Sequence, residues 1–428
     1  MAYTTTTLSG NATLVGTSGA DQTTSSVAAG KSINVNAYDG LDTLTISNGV
    51  TGGTIGMGGK VDTVTLSETA SKLNITLGAG ADTFTDTASK ATSKITVGGQ
   101  GGADTFNLLG ASATSYYGGG QGKDKFRGSS SDGGTIGANT TLVGGSEADT
   151  FGLSTDGLIV GASAFINGQV DADKIYVIAN ATATVRGGSE ADTIKVTSGS
   201  SASYLYGDKG ADTVSGGSAA DTIDGGGGAD SITGNAGLDV MTGGLGKDVF
   251  NMANVVASTA IAVDNIKDFT IADDKIGAYS ADNLETYEVS SATILTVLSE
   301  AGNGAQITTG NLGAAVTKVS GAYNLGTSGT GSVLALSSST AFSTSTLVTA
   351  LETSGSLELT AGADFSAKDG FIVFYDDNVD TYAALVTTSA TWSDNATSTD
   401  LAVTNLTKLS GLADASTITS SNMLAFTA

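Results

Sequence analysis

Residues 225–250 read GGGGADSITGNAGLDVMTGGLGKDVF and place Asp230, Asp239 and Asp248 nine residues apart. Two residues after each Asp stands one apolar side chain, Ile232, Met241 or Phe250, and glycines crowd the positions before it. Nine-residue steps upstream recover Asp221 and Asp212. Five units therefore run in unbroken register, from GDKGADTVS (207–215) through GGSAADTID, GGGGADSIT and GNAGLDVMT to GGLGKDVFN (243–251). A fixed period of this kind signals stacked structural units.

The aspartates continue upstream at a longer step. They stand at Asp192, Asp173, Asp149, Asp124, Asp104, Asp82, Asp62, Asp42 and Asp21, about 21 residues apart on average, a solenoid-like spacing. Two residues after them come Leu44, Val64, Phe84, Phe106, Phe126, Phe151, Ile175 and Ile194; Thr23 alone breaks the column. Each long unit also carries a second stretch of alternating apolar and polar residues, such as LNITLGAG or SKITVGGQG, the pattern of a half-buried strand. A long unit thus reads as two short strands and two turns. The expected fold is all-β: a long parallel β-solenoid with coils stacked about 4.8 Å apart. Val, Ile, Leu and Phe face inward and β-branched Thr outward.

Composition agrees. The 428 residues include 61 Gly and no Pro, Cys or His, and 39% are hydrophobic, enough for a core. Missing proline suits interior strands that must all donate N–H groups. Missing cysteine excludes disulfides and thiolate metal sites. Acidic residues outnumber basic ones 42 to 18, for a net charge of −24, and only eight of the 42 are Glu. So acidic a chain is not expected to bind nucleic acid, whereas short Asp side chains suit tight turns and hard cations. The opening MAYTTTTLSGNATLVG lacks the basic and apolar regions of a conventional signal peptide. No apolar run is long enough to span a membrane.

Stacking sets equivalent carboxylates about 5 Å apart, where two charges repel by ~3 kcal/mol at an effective dielectric of 20. A cation between the turns removes that penalty. Glycines let a turn adopt positive φ and aim its carbonyls inward. Carbonyls and carboxylates from successive turns then form an all-oxygen cage suited to Ca2+.

The five units match G-G-x-G-x-D-x-U-x, and with them the chain resembles the repeats-in-toxin (RTX) family. That resemblance implies a calcium-bound parallel β-roll in which Asp ligates through its carboxylate and the preceding residues through carbonyls. It implicates Asp212 with Gly207 and Gly210, Asp221 with Gly216 and Gly217, and Asp230 with Gly225, Gly226 and Gly228. Asp239 follows with Gly234 and Gly237, and Asp248 with Gly243, Gly244 and Gly246. Consecutive units of such a roll lie on opposite edges. Upstream, GAGADTF, GQGGADTF and GGQGKDKF keep enough of the pattern to add Asp82, Asp104 and Asp124 as metal candidates. In other turns Glu147, Asp171 and Glu190 replace the fourth-position glycine, which either adds a ligand or spoils the turn. YDGLDTL and GGKVDTV, at Asp42 and Asp62, depart further.

VDNIKDFTIADDKIG (263–277) is similar to the segment that follows RTX repeats. The resemblance implies that Asp264, Asp268 and Asp274 close the last coil, and Asp268 joins the metal candidates. Beyond it the reading is mostly β, with a short helix capped by Ser345 and ending before Gly355. A hairpin is expected around Asp376–Asp380, with a metal loop as the alternative reading. The apolar tail from residue 406 resembles the uncleaved signal read by type I secretion systems. The expected organisation is a degenerate-repeat solenoid over 1–206, an RTX β-roll over 207–251 and a capping and assembly domain over 252–428.

Without His there is no Ser-His-Asp triad, no HExxH zinc site and no imidazole base. Carboxylate catalysis on a polysaccharide is the remaining enzymatic reading, and a single Trp offers it little for stacking sugars. The expectation is a non-enzymatic, secreted, calcium-binding structural protein of the bacterial cell surface, similar to RTX-type S-layer proteins. Its expected partners are copies of itself in a lattice or filament, cell-surface polysaccharide and the type I secretion machinery. An RTX adhesin or matrix filament is the alternative.

Overall fold

A computed structural model describes residues 6–8, 12–27, 30–47, 49–87, 93–110, 113–128, 133–252, 263–278, 316–319, 323–324, 333–336, 343–351, 359–360, 370–388, 401–418 and 422–424. Its contacts divide into two units, Met1–Thr222 and Ile223–Ala428. The division falls inside the nine-residue run.

In the first unit a strand begins directly after each ladder Asp. Thr43–Ile46, Thr63–Leu66, Thr83–Asp86, Thr105–Leu108, Lys125–Arg127, Thr150–Phe151, Lys174–Ala179, Thr193–Gly199 and Thr213–Ser215 follow one another in one parallel sheet. A second parallel sheet takes the other strand of each coil. It runs from Ala12–Val15, Lys31–Asn36 and Val50–Gly56 to Ala183–Ser189 and Tyr204–Lys209. This is the expected β-solenoid. A lone coil could not bury its apolar face, so each depends on its neighbours.

The apolar column sets the register. Leu44, Val64, Phe84, Phe106, Phe126, Phe151, Ile175, Ile194 and Val214 are paired in succession, and none is more than 2% exposed. A slip of one residue would turn the whole column to water. Thr23 keeps the register against Leu44 even though it is polar. The Phe106–Phe126 and Phe126–Phe151 rings stack at 4.6 Å with interplanar angles of 9° and 3°. That separation is close to the spacing of adjacent strands, so in-register phenylalanines stack flat without leaving their rotamers.

In the second unit Ser231–Thr233, Val249–Met252 and Lys275–Ala278 pair in parallel, and Met423–Leu424 adds to the last of these. Val240–Gly246 pairs with Asp264–Ile266, which in turn pairs with Leu401–Leu409. Leu401–Leu409 lies antiparallel to Thr381–Thr388, which forms the expected hairpin with Gly370–Asp376. The described part of the region after the repeats is thus mostly β, and its end returns to cover the last coils. The helix Thr344–Leu351 starts earlier than expected. Ser343, not Ser345, accepts the N–H of Thr346 on its Oγ at 3.2 Å. Starting there gives the helix two full turns and buries Leu347 and Leu351, four residues apart on one face. Gly355 lies outside the described residues.

Phe126→Ala removes the ring that stacks on both neighbours. It is expected to cost about 3–5 kcal/mol, read as a lower urea midpoint by circular dichroism. The outward Thr63→Ser should change the midpoint by less than about 0.5 kcal/mol equivalent.

Candidate metal centre

Each ladder Asp ties its coil to the next through its own backbone. The N–H of Asp62 donates to Asp82 Oδ1 at 2.7 Å, and the N–H of Thr83 donates to the Asp62 carbonyl at 2.8 Å. Links from Asp N–H to the next Asp Oδ1 run unbroken from Asp21 to Asp212, at 2.7–2.8 Å. In the second unit Asp230 donates to Asp248 at 2.9 Å, Asp248 to Asp274 at 3.0 Å and Asp239 to Asp264 at 3.0 Å. The Asp230–Asp248 bond and a Ser203–Asp221 bond in the first unit each join residues 18 apart. That is two nonapeptides, as alternate edges require.

These links use one oxygen of each carboxylate. The other, Oδ2, has no hydrogen-bond donor in Asp42, Asp62, Asp82, Asp104, Asp124, Asp149, Asp173, Asp192 or Asp248. All nine residues are at most 2% exposed. A buried anionic oxygen without a partner is costly, and these carboxyls resist ionisation. Burial pushes Asp62, Asp104, Asp124 and Asp173 up to about 7, Asp149 and Asp192 to about 8 and Asp248 to about 6. The N–H bond from the preceding Asp opposes the shift, and neighbouring carboxylates reinforce it. Asp42, Asp82, Asp212 and Asp221 move the same way, chiefly through burial.

The position of Oδ2 explains the first glycine of the turn. A Cβ on Gly144 would lie 2.2 Å from Asp149 Oδ2 and 2.7 Å from the carbonyl oxygen of Gly168. Gly99, Gly119, Gly168, Gly187, Gly225, Gly234 and Gly243 stand in the same relation to Asp104, Asp124, Asp173, Asp192, Asp230, Asp239 and Asp248, at 1.9–2.5 Å. Carboxylate and glycine share a spot that only a missing side chain leaves open. At the same offset before Asp42, Asp62 and Asp82 stand Ala37, Met57 and Leu77, all buried. Asp82 therefore separates from Asp104 and Asp124: it keeps the lone oxygen but lacks the glycine.

In most turns the second or fourth position, or both, takes positive φ, with or without glycine. Gly210, Gly226, Gly228, Gly237, Gly244 and Gly246 do so. So do Gln100, Gln169, Asp208 and Asn235 at the second position, with φ of 67–86°. Lys60, Glu147, Asp171 and Glu190 do so at the fourth, with φ of 72–82°. The acidic replacements do not spoil the turn, since Asp149, Asp173 and Asp192 keep their links. The sequence signal for these coils is their unbroken D-x-U spacing.

Two predicted positions have settled carboxylates. Asp221 takes the N–H of Ser203 on Oδ1 and that of Gly217 on Oδ2, both at 2.7 Å, in a turn opened by the buried Gly216. Asp268 accepts the N–H groups of Gly243 and Gly244 at 2.9 and 2.8 Å, so it closes the last glycine turn. Asp264 and Asp274 do the same for Asp239 and Asp248. Gly207 is buried at the head of the Asp212 turn. The Asp376–Asp380 loop reads as a hairpin turn. Asp376 holds the N–H groups of Asn378 and Ala415, Asp377 those of Val379 and Asp380, and Asp380 takes Gly411 N–H and Lys408 Nζ.

Among the described residues no three His, Asp or Glu side chains converge on one point. A cation at a turn would therefore draw on carboxylates of two coils and on backbone carbonyls. An all-oxygen set, a lone buried Oδ2 and a space kept open by glycine fit Ca2+.

A family model described as the RTX calcium-binding nonapeptide repeat (4 copies) matches residues 186–223, 197–232 and 215–250. With this match and the solenoid of stacked Asp turns, the chain carries RTX calcium-binding repeats over residues 186–250 in a β-roll that binds Ca2+ at several sites. The match begins at residue 186, one coil before the strict nine-residue register. No curated protein and no solved structure matched the chain. No helix among the described residues is long and apolar enough to cross a membrane.

Two outcomes follow from the buried oxygens. The folded-state pKa values lie above the unfolded value of about 3.9, so the folded metal-free protein binds more protons. Its stability is fully present below about pH 4 and lost as pH rises toward 8. In EGTA the thermal midpoint should fall between pH 5 and 8.5, and calcium should abolish that fall. Gly144→Ala should lower stability by about 1–3 kcal/mol and weaken calcium binding measured by calorimetry.

Proposed function

We propose that the chain is a secreted structural protein that assembles with copies of itself on the bacterial cell surface, in the manner of an S-layer. Calcium drives both its folding and its assembly. The observation that carries this reading is the stack of buried aspartates whose second oxygen has no donor. Without a cation the turns are held together against their own charge. Bound calcium supplies positive charge to carboxylates and carbonyls of adjacent coils. Asp104, Asp124, Asp149, Asp173, Asp192, Asp212, Asp230, Asp239 and Asp248 are the residues proposed to hold it.

In this reading residues 1–206 form a stiff spacer, 207–251 a calcium roll and 252–428 a cap that carries the export signal and lattice contacts. Low calcium inside the cell keeps the chain threadable, and external calcium folds it. A structural role fits the sequence better than catalysis, because the recurrent Asp residues are accounted for by coil register. The composition, rich in Gly, Thr, Ser and Ala and free of His and Cys, supports it too.

Electron microscopy of the purified full-length chain across a calcium titration tests the proposal. Ordered sheets that appear with calcium and disperse in EGTA are expected. Isolated monomers at every calcium level would overturn self-assembly, and equal β-content with and without EGTA would overturn calcium-driven folding. Asp230→Ala and Asp248→Ala should each raise the calcium concentration at the folding midpoint. Removing Asp248 also strands the Asp230 N–H.

A further inference from the structure

The chain carries 18 basic residues against 42 acidic ones, yet four cations gather on one face of the first unit. Lys125 and Lys174 come one residue after a ladder Asp, and Arg127 and Lys195 come three after. These are the outward positions of the first sheet, flanking the buried Phe126, Ile175 and Ile194. Lys125 is in register with Thr150, and Thr150 with Lys174, so the two lysines stand two coils, about 10 Å, apart. Lys195 pairs with Tyr176, two residues from Lys174. All three lysines are exposed. Among the described residues the ion pairs are Arg186–Asp208 and Lys408–Asp380, and none of the four cations takes part in one. Arg127 Nε is buried with no acceptor. The face lacks an anion that the rest of the chain has in excess.

The edge of the same coils presents the complement. Glu147, Asp171 and Glu190 are exposed at the fourth turn position of three successive coils, where glycine would sit with less strain. Asp171 Oδ2 accepts the N–H of Glu147 at 2.8 Å, which fixes the column. We propose that the basic face of one copy docks on this acidic edge of a second copy. The contact rests on the self-assembly reading and gives it a surface. The acidic column repeats at every coil, and Lys125 and Lys174 stand two coils apart, as Glu147 and Glu190 do, so these pairs of two copies can meet in register, a match that an anionic polysaccharide does not require. Because face and edge are different patches, the contact is heterologous and propagates rather than closing a dimer.

Charge reversal on each side tests it. One variant combines Lys125→Glu, Lys174→Glu and Lys195→Glu; the other combines Glu147→Lys, Asp171→Lys and Glu190→Lys. Lysine is tolerated at the fourth position, as Lys60 shows with φ 82°. In calcium and low salt, each variant alone should need on the order of tenfold more protein to assemble than wild type, followed by light scattering. An equal mixture of the two should assemble again, since each supplies the patch the other now needs. Circular dichroism checks the fold, and triple Lys→Gln and Glu/Asp→Gln variants replace any that fail it. Wild type that stays monomeric in calcium overturns the self-assembly reading and this contact with it. Wild type that assembles while both variants assemble equally, or a loss that mixing does not rescue, overturns the contact alone. Unchanged assembly with lost binding to an anionic polysaccharide would give the face to that partner instead.

Discussion

The described solenoid follows from laying equivalent side chains on top of one another at the spacing of adjacent strands. For apolar groups that constraint is favourable, and Phe106, Phe126 and Phe151 stack with their planes nearly parallel. For carboxylates it is not. From Asp42 to Asp192 each ladder Asp satisfies one oxygen through the backbone of the coil before it and leaves the other buried without a donor. The glycine under that oxygen, the left-handed turn residues and the raised pKa values are consequences of the same stacking.

Protons and calcium compete for these oxygens. Metal-free, Asp149 and Asp192 lie near 8 and hold their protons through neutral pH. A divalent cation replaces that proton with more charge and with ligands from two coils at once. Many of the acidic residues behind the formal net charge of −24 therefore sit inside the turns rather than on the surface. The remaining exposed charge is not uniform, as the basic face at Lys125, Lys174 and Lys195 shows.

The solenoid was legible because its chemical period equals its physical one. Asp and the apolar residue two places on mark every coil, and even Thr23 holds register. What could not be read depended on atoms of a neighbouring coil. The fourth turn position looked like a glycine requirement, yet Glu147, Asp171 and Glu190 adopt the same φ because the surrounding coils hold them there. The first position reads as one glycine among several, yet Gly99 and Gly119 lie against a carboxylate, while buried Leu77 fills the same place before Asp82. The Asp221 unit keeps the nine-residue register with Ala219 in place of the fourth glycine, and its carboxylate takes a second N–H from Gly217. Ser343 and Ser345 offer the same capping chemistry, and burial of Leu347 and Leu351 decides between them. The pairing of Met423–Leu424 with Ile276–Gly277 joins segments too distant for any local pattern.

The aspartate links also give the stack a direction. From Asp21 to Asp192, and again at Asp230, Asp239 and Asp248, each N–H is answered by a carboxylate that arrives later in the chain, so these coils are not complete until their successors are in place. Asp264 and Asp274 answer the last aspartates from outside the repeats. A cut made from the C-terminal side exposes a donor with nothing to receive it, whatever coil is left at the end. A cut from the N-terminal side exposes only an oxygen, which water can serve. The two ends of the same solenoid are therefore unequal: one can be shortened at little cost, and the other needs a terminator.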